Sequence, residues 1–133
     1  MTNFWDGRRI LVTGGAGFLG SFVVDRLFQE GVNREMLRIP NSHEMDLRNW
    51  DNCLRAVRDI DIIIHLAATV GGIGFNQKYP ATLFYENALM GIQLMEAARL
   101  ENVKKFVGVG TVCAYPKFVT VPFREADLWN GYP

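Results

Sequence analysis

The chain has 133 residues, room for one domain with a sizeable core and little for a second catalytic domain. Hydrophobic residues make up 49%, which excludes a disordered chain, and 14 basic residues against 14 acidic ones leave no charge excess to attract nucleic acid or a membrane surface. Zero net charge also lowers the barrier to self-association, so a homo-oligomer is expected.

In chain order, residues 9–13 carry Ile10, Leu11 and Val12, an apolar run suited to a strand covered on both faces. Gly14, Gly17 and Gly20 follow at three-residue spacing. Over 18–29, Phe22, Val23 and Leu27 recur at helical spacing with Asp25, Arg26 and Gln29 turned outward, and Gly31 and Asn33 end the helix. A short strand is predicted over 36–39, closed by Pro40. Residues 41–48 read as a polar crossing with a brief strand near Met45, and Asn49 caps a helix over 50–58.

The run 61–68, DIIIHLAA, predicts the next buried strand, and a glycine-rich loop covers 70–74. Pro80 suits the first turn of a long helix reaching Leu100, with Ala88, Gly91, Ile92 and Met95 on one face. Lys104 and Lys105 lead into a strand over 106–109. From Gly110 to Pro133 the chain reads as loop. The longest apolar stretch, 60–75, is broken by Asp61, His65 and three glycines and is unsuited to span a bilayer. No basic-then-apolar leader precedes the first strand.

Strands alternating with helices predict an α/β fold of Rossmann type, a doubly wound parallel sheet. Right-handed crossovers put the second strand on one flank of the first and the 61–68 strand on the other. Ligands then lie beyond the strand carboxyl ends, where loops 14–20, 69–74 and 110–115 gather.

The glycine triplet is informative because a strand precedes it and a helix follows. Gly14 permits a sharp turn, Gly17 removes a side chain where a pyrophosphate approaches, and Gly20 lets helix and strand pack closely. Phe18 and Leu19 open the helix, whose free N–H groups and positive dipole end suit phosphate. An ordinary strand-to-helix turn would show the same spacing without binding anything. At the end of the second strand, Arg38 stands where NAD-preferring sheets usually carry an acid. An arginine there can pair with a 2′-phosphate, so NADP(H) is expected ahead of NAD(H).

The other polar residues have plain readings. His65 is expected as a hydrogen-bonded core residue, His43 as a solvated one and Cys53 as core filler. Cys53 and Cys113 show neither CxxC nor Cys/His metal spacing, so a reduced, cytoplasmic protein without a metal centre is expected.

GGAGFLG and HLAA resemble the extended short-chain dehydrogenase/reductase family, the sugar-nucleotide epimerases and dehydratases. VGGIGFN at 70–76, GTVCAYPK at 110–117 and PFREADLWNG at 122–131 are similar to segments of its GDP-L-fucose synthases. This resemblance implies 3,5-epimerisation and 4-reduction of GDP-4-keto-6-deoxy-mannose with NADPH as hydride donor. It implies Asp46 and Leu47 at the adenine edge, although Asp46 reads equally as a polar turn residue. It also implies Ala67 and Ala68 along the nicotinamide ribose, with Thr111 and Cys113 facing the sugar. Threonine stands where that family usually has serine and keeps the hydroxyl; Cys113 matches an acid/base cysteine. Asn87 matches an asparagine that recurs in the long helix, where it either braces the reactive loop or faces solvent.

The same resemblance puts the catalytic Tyr-x-x-x-Lys helix and the substrate-binding domain beyond residue 133. Neither Tyr115 nor Tyr132 has a lysine four residues on. Residues 1–133 are therefore expected to form an incomplete N-terminal dinucleotide-binding domain, inactive alone. Two rival expectations are another sugar-nucleotide epimerase or dehydratase that retains NAD, and a non-catalytic module that binds NADP(H).

Overall fold

The structure is a computed structural model that describes residues 3–132. Four strands form one parallel sheet in the order β2-β1-β3-β4: β1 (Ile10–Thr13), β2 (Leu37–Arg38), β3 (Ile62–His65) and β4 (Lys105–Gly108). The central pair is in register from Ile10 opposite Ile62 to Thr13 opposite His65. Strand β1 therefore has one neighbour on each flank, and the order reverses there, as the α/β expectation required.

Helices cover both faces because alternate residues of β1 and β3 point to opposite sides. On one side Leu11 and Ile63 meet α2 (Trp50–Val57) and α4 (Pro80–Leu100) through Cys53, Ala56, Val57, Leu94 and Ala97. On the other, Ile10, Val12 and Ile62 meet α1 (Phe18–Gln29) through Val24 and Leu27. Asn49 caps α2, its side-chain oxygen accepting from the N–H groups of Asp51 and Asn52.

Two expectations are corrected, and the buried face of the long helix is decided. No strand forms near Met45; the Asn41 side chain accepts from the N–H groups of His43 (2.9 Å) and Glu44 (3.0 Å), and Met45 N–H donates to the Asn41 carbonyl, closing a turn instead. The expected loop over 70–74 gives way at its end to a short helix, α3 (Ile73–Lys78), entered from the extended Gly72. The face that α4 buries is Met90, Leu94, Ala97 and Ala98, leaving Ile92 and Met95 outward. That helix is apolar around most of its circumference, so periodicity alone left its buried face open. Beyond β4 come two 3₁₀ turns, Val112–Ala114 and Glu125–Trp129. Pro133, the end of the expected loop, lies outside the described residues.

Candidate functional site

A cleft of about 700 Å³ opens at the carboxyl ends of β1 and β3. Its floor is the turn between β1 and α1. Gly14 has φ +69°, a conformation costly for any residue with a side chain. A Cβ there would also lie 2.8 Å from the Ala67 nitrogen and the Leu66 carbonyl carbon. At Gly20 a Cβ would overlap the Gly14 carbonyl oxygen. The two glycines thus let α1 and the chain after β3 close on the turn. Gly17 precedes α1 with no side-chain cap, and Phe18, Leu19 and Gly20 line the cleft with it. No side chain caps the first amides of α1, and free amides at a helix start suit a pyrophosphate.

The chain after β3 forms the facing wall. Thr13, buried at the end of β1, holds it in place: its hydroxyl oxygen accepts from the N–H groups of Leu66 and Ala67, both at 3.2 Å. Ala67 and Ala68 line the cleft from that wall. Asn87, from α4, accepts the Thr69 N–H at 2.7 Å and donates to its carbonyl at 2.9 Å. Of the two readings of Asn87, the geometry is that of a brace. His65 is hydrogen-bonded as expected, its Nδ1 2.7 Å from the Thr13 hydroxyl, and burial lowers its pKa so that the ring stays neutral.

At the far end of the cleft lie Pro40, Asn41, Ser42, Asp46, Leu47 and Arg48. Arg48 grips both oxygens of Asp46 through Nε (3.0 Å to Oδ1) and Nη2 (2.8 Å to Oδ2), and its Nη1 reaches Glu86 at 2.8 Å. The Asp46 pKa is lowered, first by the side-chain hydrogen bond from Arg48 and then by the Arg48 backbone N–H. Asp46 and Leu47 both line the cleft. Sequence reasoning missed Arg48 and Glu86, which are 38 residues apart and carry no joint signal in the chain.

Arg38, expected at a 2′-phosphate, does not line the cleft. Its Nη1 donates to the carbonyls of Arg55, Ala56 and Arg58 at 2.8–3.2 Å. The physical reason is the carboxyl end of α2, whose free carbonyls and negative dipole end attract a cation. Thr111 and Cys113 do not line this cleft either. They share an exposed 3₁₀ turn in which the Thr111 hydroxyl accepts from the Cys113 N–H at 3.2 Å. No group of three or more His, Cys, Asp or Glu able to hold a metal occurs among the described residues, and no described helix is long and apolar enough to cross a membrane.

Residues 10–132 match the model of the NAD dependent epimerase/dehydratase family. The chain belongs to that family. GDP-mannose 3,5-epimerase 1 of Oryza sativa subsp. indica is 36% identical over 141 residues, covering 94% of this chain and 37% of that protein. GDP-L-fucose synthase of Escherichia coli strain K12 is 33% identical over 130 residues, covering 93% and 39%. Among solved structures, MlghC, the GDP-mannoheptose C4 reductase from Campylobacter jejuni with NADP bound, superimposes with a TM-score of 0.85 at 26% identity, over 98% of this chain and 38% of that one. A GDP-L-fucose synthetase from Naegleria fowleri bound to NADP gives a TM-score of 0.78 at 27% identity, over 98% and 39%. The chain therefore spans about two-fifths of the length of these relatives.

Proposed function

We propose that residues 1–133 are the N-terminal dinucleotide-binding domain of a cytoplasmic enzyme, a homo-oligomer when whole, that epimerises and reduces a GDP-sugar. The reaction is that of a GDP-L-fucose synthase, 3,5-epimerisation and 4-reduction of GDP-4-keto-6-deoxy-mannose. The observation that carries this reading is the side-chain-free turn at Gly14, Gly17 and Gly20, closed by the Leu66–Ala67 backbone beneath a cleft of about 700 Å³. Its donors and its shape suit a dinucleotide pyrophosphate, with Asp46 and Leu47 toward the adenine and Ala67 and Ala68 toward the nicotinamide ribose.

NADP(H) is the nucleotide named with two of the solved relatives and is the proposed cofactor, with NAD(H) as the alternative. When bound, it supplies the hydride for the C4 ketone. The chain's own residues bind and orient. First-turn amides of α1 hold the phosphates, Asn87 and Thr13 fix the wall after β3, and that wall keeps water from one side of the site. The sugar's 4-keto group acidifies the C–H bonds at C3 and C5, so inversion needs only a group that takes a proton and one that returns it on the opposite face. Cys113 is the proposed proton carrier and Thr111 the proposed hydroxyl donor to the ketone oxygen. Both stand on an exposed turn outside the cleft, so the 133 residues alone bind nucleotide weakly and do not turn over substrate.

The test is a titration of NADPH and NADH into the protein and into Gly14→Val. The native chain gives weak, saturable binding, whereas the variant gives none, because its side chain meets the Ala67 nitrogen and a positive φ together. Strain and overpacking of that kind cost about 2–5 kcal/mol. Equal binding by the two proteins would place the nucleotide elsewhere.

A further inference from the structure

The surroundings of the Thr13 hydroxyl point to the nitrogen of His65 that carries the proton. Its oxygen accepts the Ala67 N–H and shares the Leu66 N–H with the Thr13 carbonyl, so both of its lone pairs face backbone donors. The remaining contact of that hydroxyl, 2.7 Å to His65 Nδ1, is therefore made by its own proton. Nδ1 accepts, and in a neutral imidazole the ring proton must then sit on Nε2. Burial lowers the His65 pKa and so keeps the ring neutral.

Nε2 points away from Thr13 toward α4, 4.0 Å from where a Cβ on Gly91 would stand. His65 and Gly91 both line a smaller cleft of about 350 Å³, together with Ala67, Ala68, Asn87 and Val109. Ala67 and Ala68 also line the larger cleft, so the two spaces adjoin along that wall. The one hydrogen bond of the ring among the described residues is the Nδ1 contact, and no side-chain nitrogen is a buried orphan, so Nε2 is accessible from the cleft. Glycine at position 91 keeps the space above it open.

We propose that His65 is a binding residue for the half of the dinucleotide that lies beyond the pyrophosphate, its Nε2–H donating to an acceptor oxygen there, a ribose hydroxyl or a carboxamide. Thr13 is the positioning residue that fixes the tautomer, and Gly91 leaves the donor accessible. The assignment rests on the dinucleotide reading of the larger cleft. It adds a recognition element at the opposite end of the ligand from Asp46.

The experiment compares NADPH and NADH with ADP, which lacks the nicotinamide riboside, as ligands of the native chain, His65→Phe and His65→Gln. Phenylalanine keeps the ring's packing and removes the donor. Binding of the preferred dinucleotide should weaken about tenfold in His65→Phe, the worth of one hydrogen bond, with ADP unchanged. Glutamine, which restores an N–H, should recover part of the loss.

A second measurement needs no His65 variant. The imidazole ¹⁵N shifts of the native chain and of Thr13→Ser should show a protonated Nε2 and a bare Nδ1, and Thr13→Val should lose that pattern. Equal weakening of ADP and dinucleotide, unchanged dinucleotide binding in His65→Phe, or a native ring protonated on Nδ1 would each overturn the assignment. If the native chain binds neither ADP nor dinucleotide, the reading of the larger cleft itself falls, and this one with it.

Discussion

The two cysteines sit in opposite environments, and their chemistry should differ accordingly. Cys53 is fully buried on α2, its thiol donating to the Leu47 carbonyl at 3.1 Å, and burial followed by the nearby Asp46 charge pushes its pKa up to about 11. Cys113 is exposed. A thiol reagent should therefore label Cys113 quickly in the native chain and Cys53 only on unfolding. The raised pKa also has a consequence for stability. The folded state holds the Cys53 proton more tightly than the unfolded chain does, so its contribution is complete below about pH 9 and is lost as the pH rises toward about 11. Urea midpoints across that window should fall, and Cys53→Ala should flatten the decline. An unchanged slope in the variant would assign the loss to other groups.

At the scale of elements, α2 is held at both ends by side chains from outside its apolar face. Asn49 caps its start, and Arg38, reaching over from β2, donates to the carbonyls that close it. Arg38→Met should accordingly lower stability by about 1 kcal/mol, the usual worth of a cation at a helix carboxyl end, as read from the urea midpoint. The ratio of NADPH to NADH affinity should stay as in the native chain. A collapse of that ratio would mean that Arg38 leaves α2 for the 2′-phosphate when nucleotide binds. The loop after β3 is organised on the same plan. Asn87 satisfies both backbone groups of Thr69, and Thr13 satisfies two amides just before it, so this irregular segment is as firmly placed as a strand.

Across the whole molecule, apolar side chains remain uncovered on both sides of the sheet. Near the glycine turn Phe18 and Phe22 pack edge to face on each other at 87% and 63% exposure, and Val109 follows β4 at 60%. On α4, Phe84, Tyr85, Ile92 and Met95 also face outward. Exposed apolar side chains grouped in this way favour association in water, and β4 adds a strand edge with free backbone groups. Sedimentation velocity should show association that grows with concentration, and Ile92→Glu should weaken it. A single monomeric species at high concentration in the native chain would contradict this.

The elements that were legible in the chain are those whose signal is local. Ile10–Thr13, the helix after Gly17, the Asn49 cap and the Pro80 start all depend on a few neighbouring residues, and each lies where the pattern put it. The turn at Asn41 was hidden because its side chain competes with strand pairing, a choice made by the surrounding backbone. Helix α3 was hidden because three glycines near its start read as loop.

By itself the sequence determined the glycine turn and the parallel sheet that carries it, since steric freedom at Gly14 and alternation of strands with helices are properties of short segments. Only the tertiary structure decided where the charges went. Arg38 turned to α2, Arg48 joined Asp46 to Glu86, and Thr13 met His65 across two strands. Long side chains choose among partners distant in sequence by electrostatics and space, and that choice exists only once the sheet has brought the partners together.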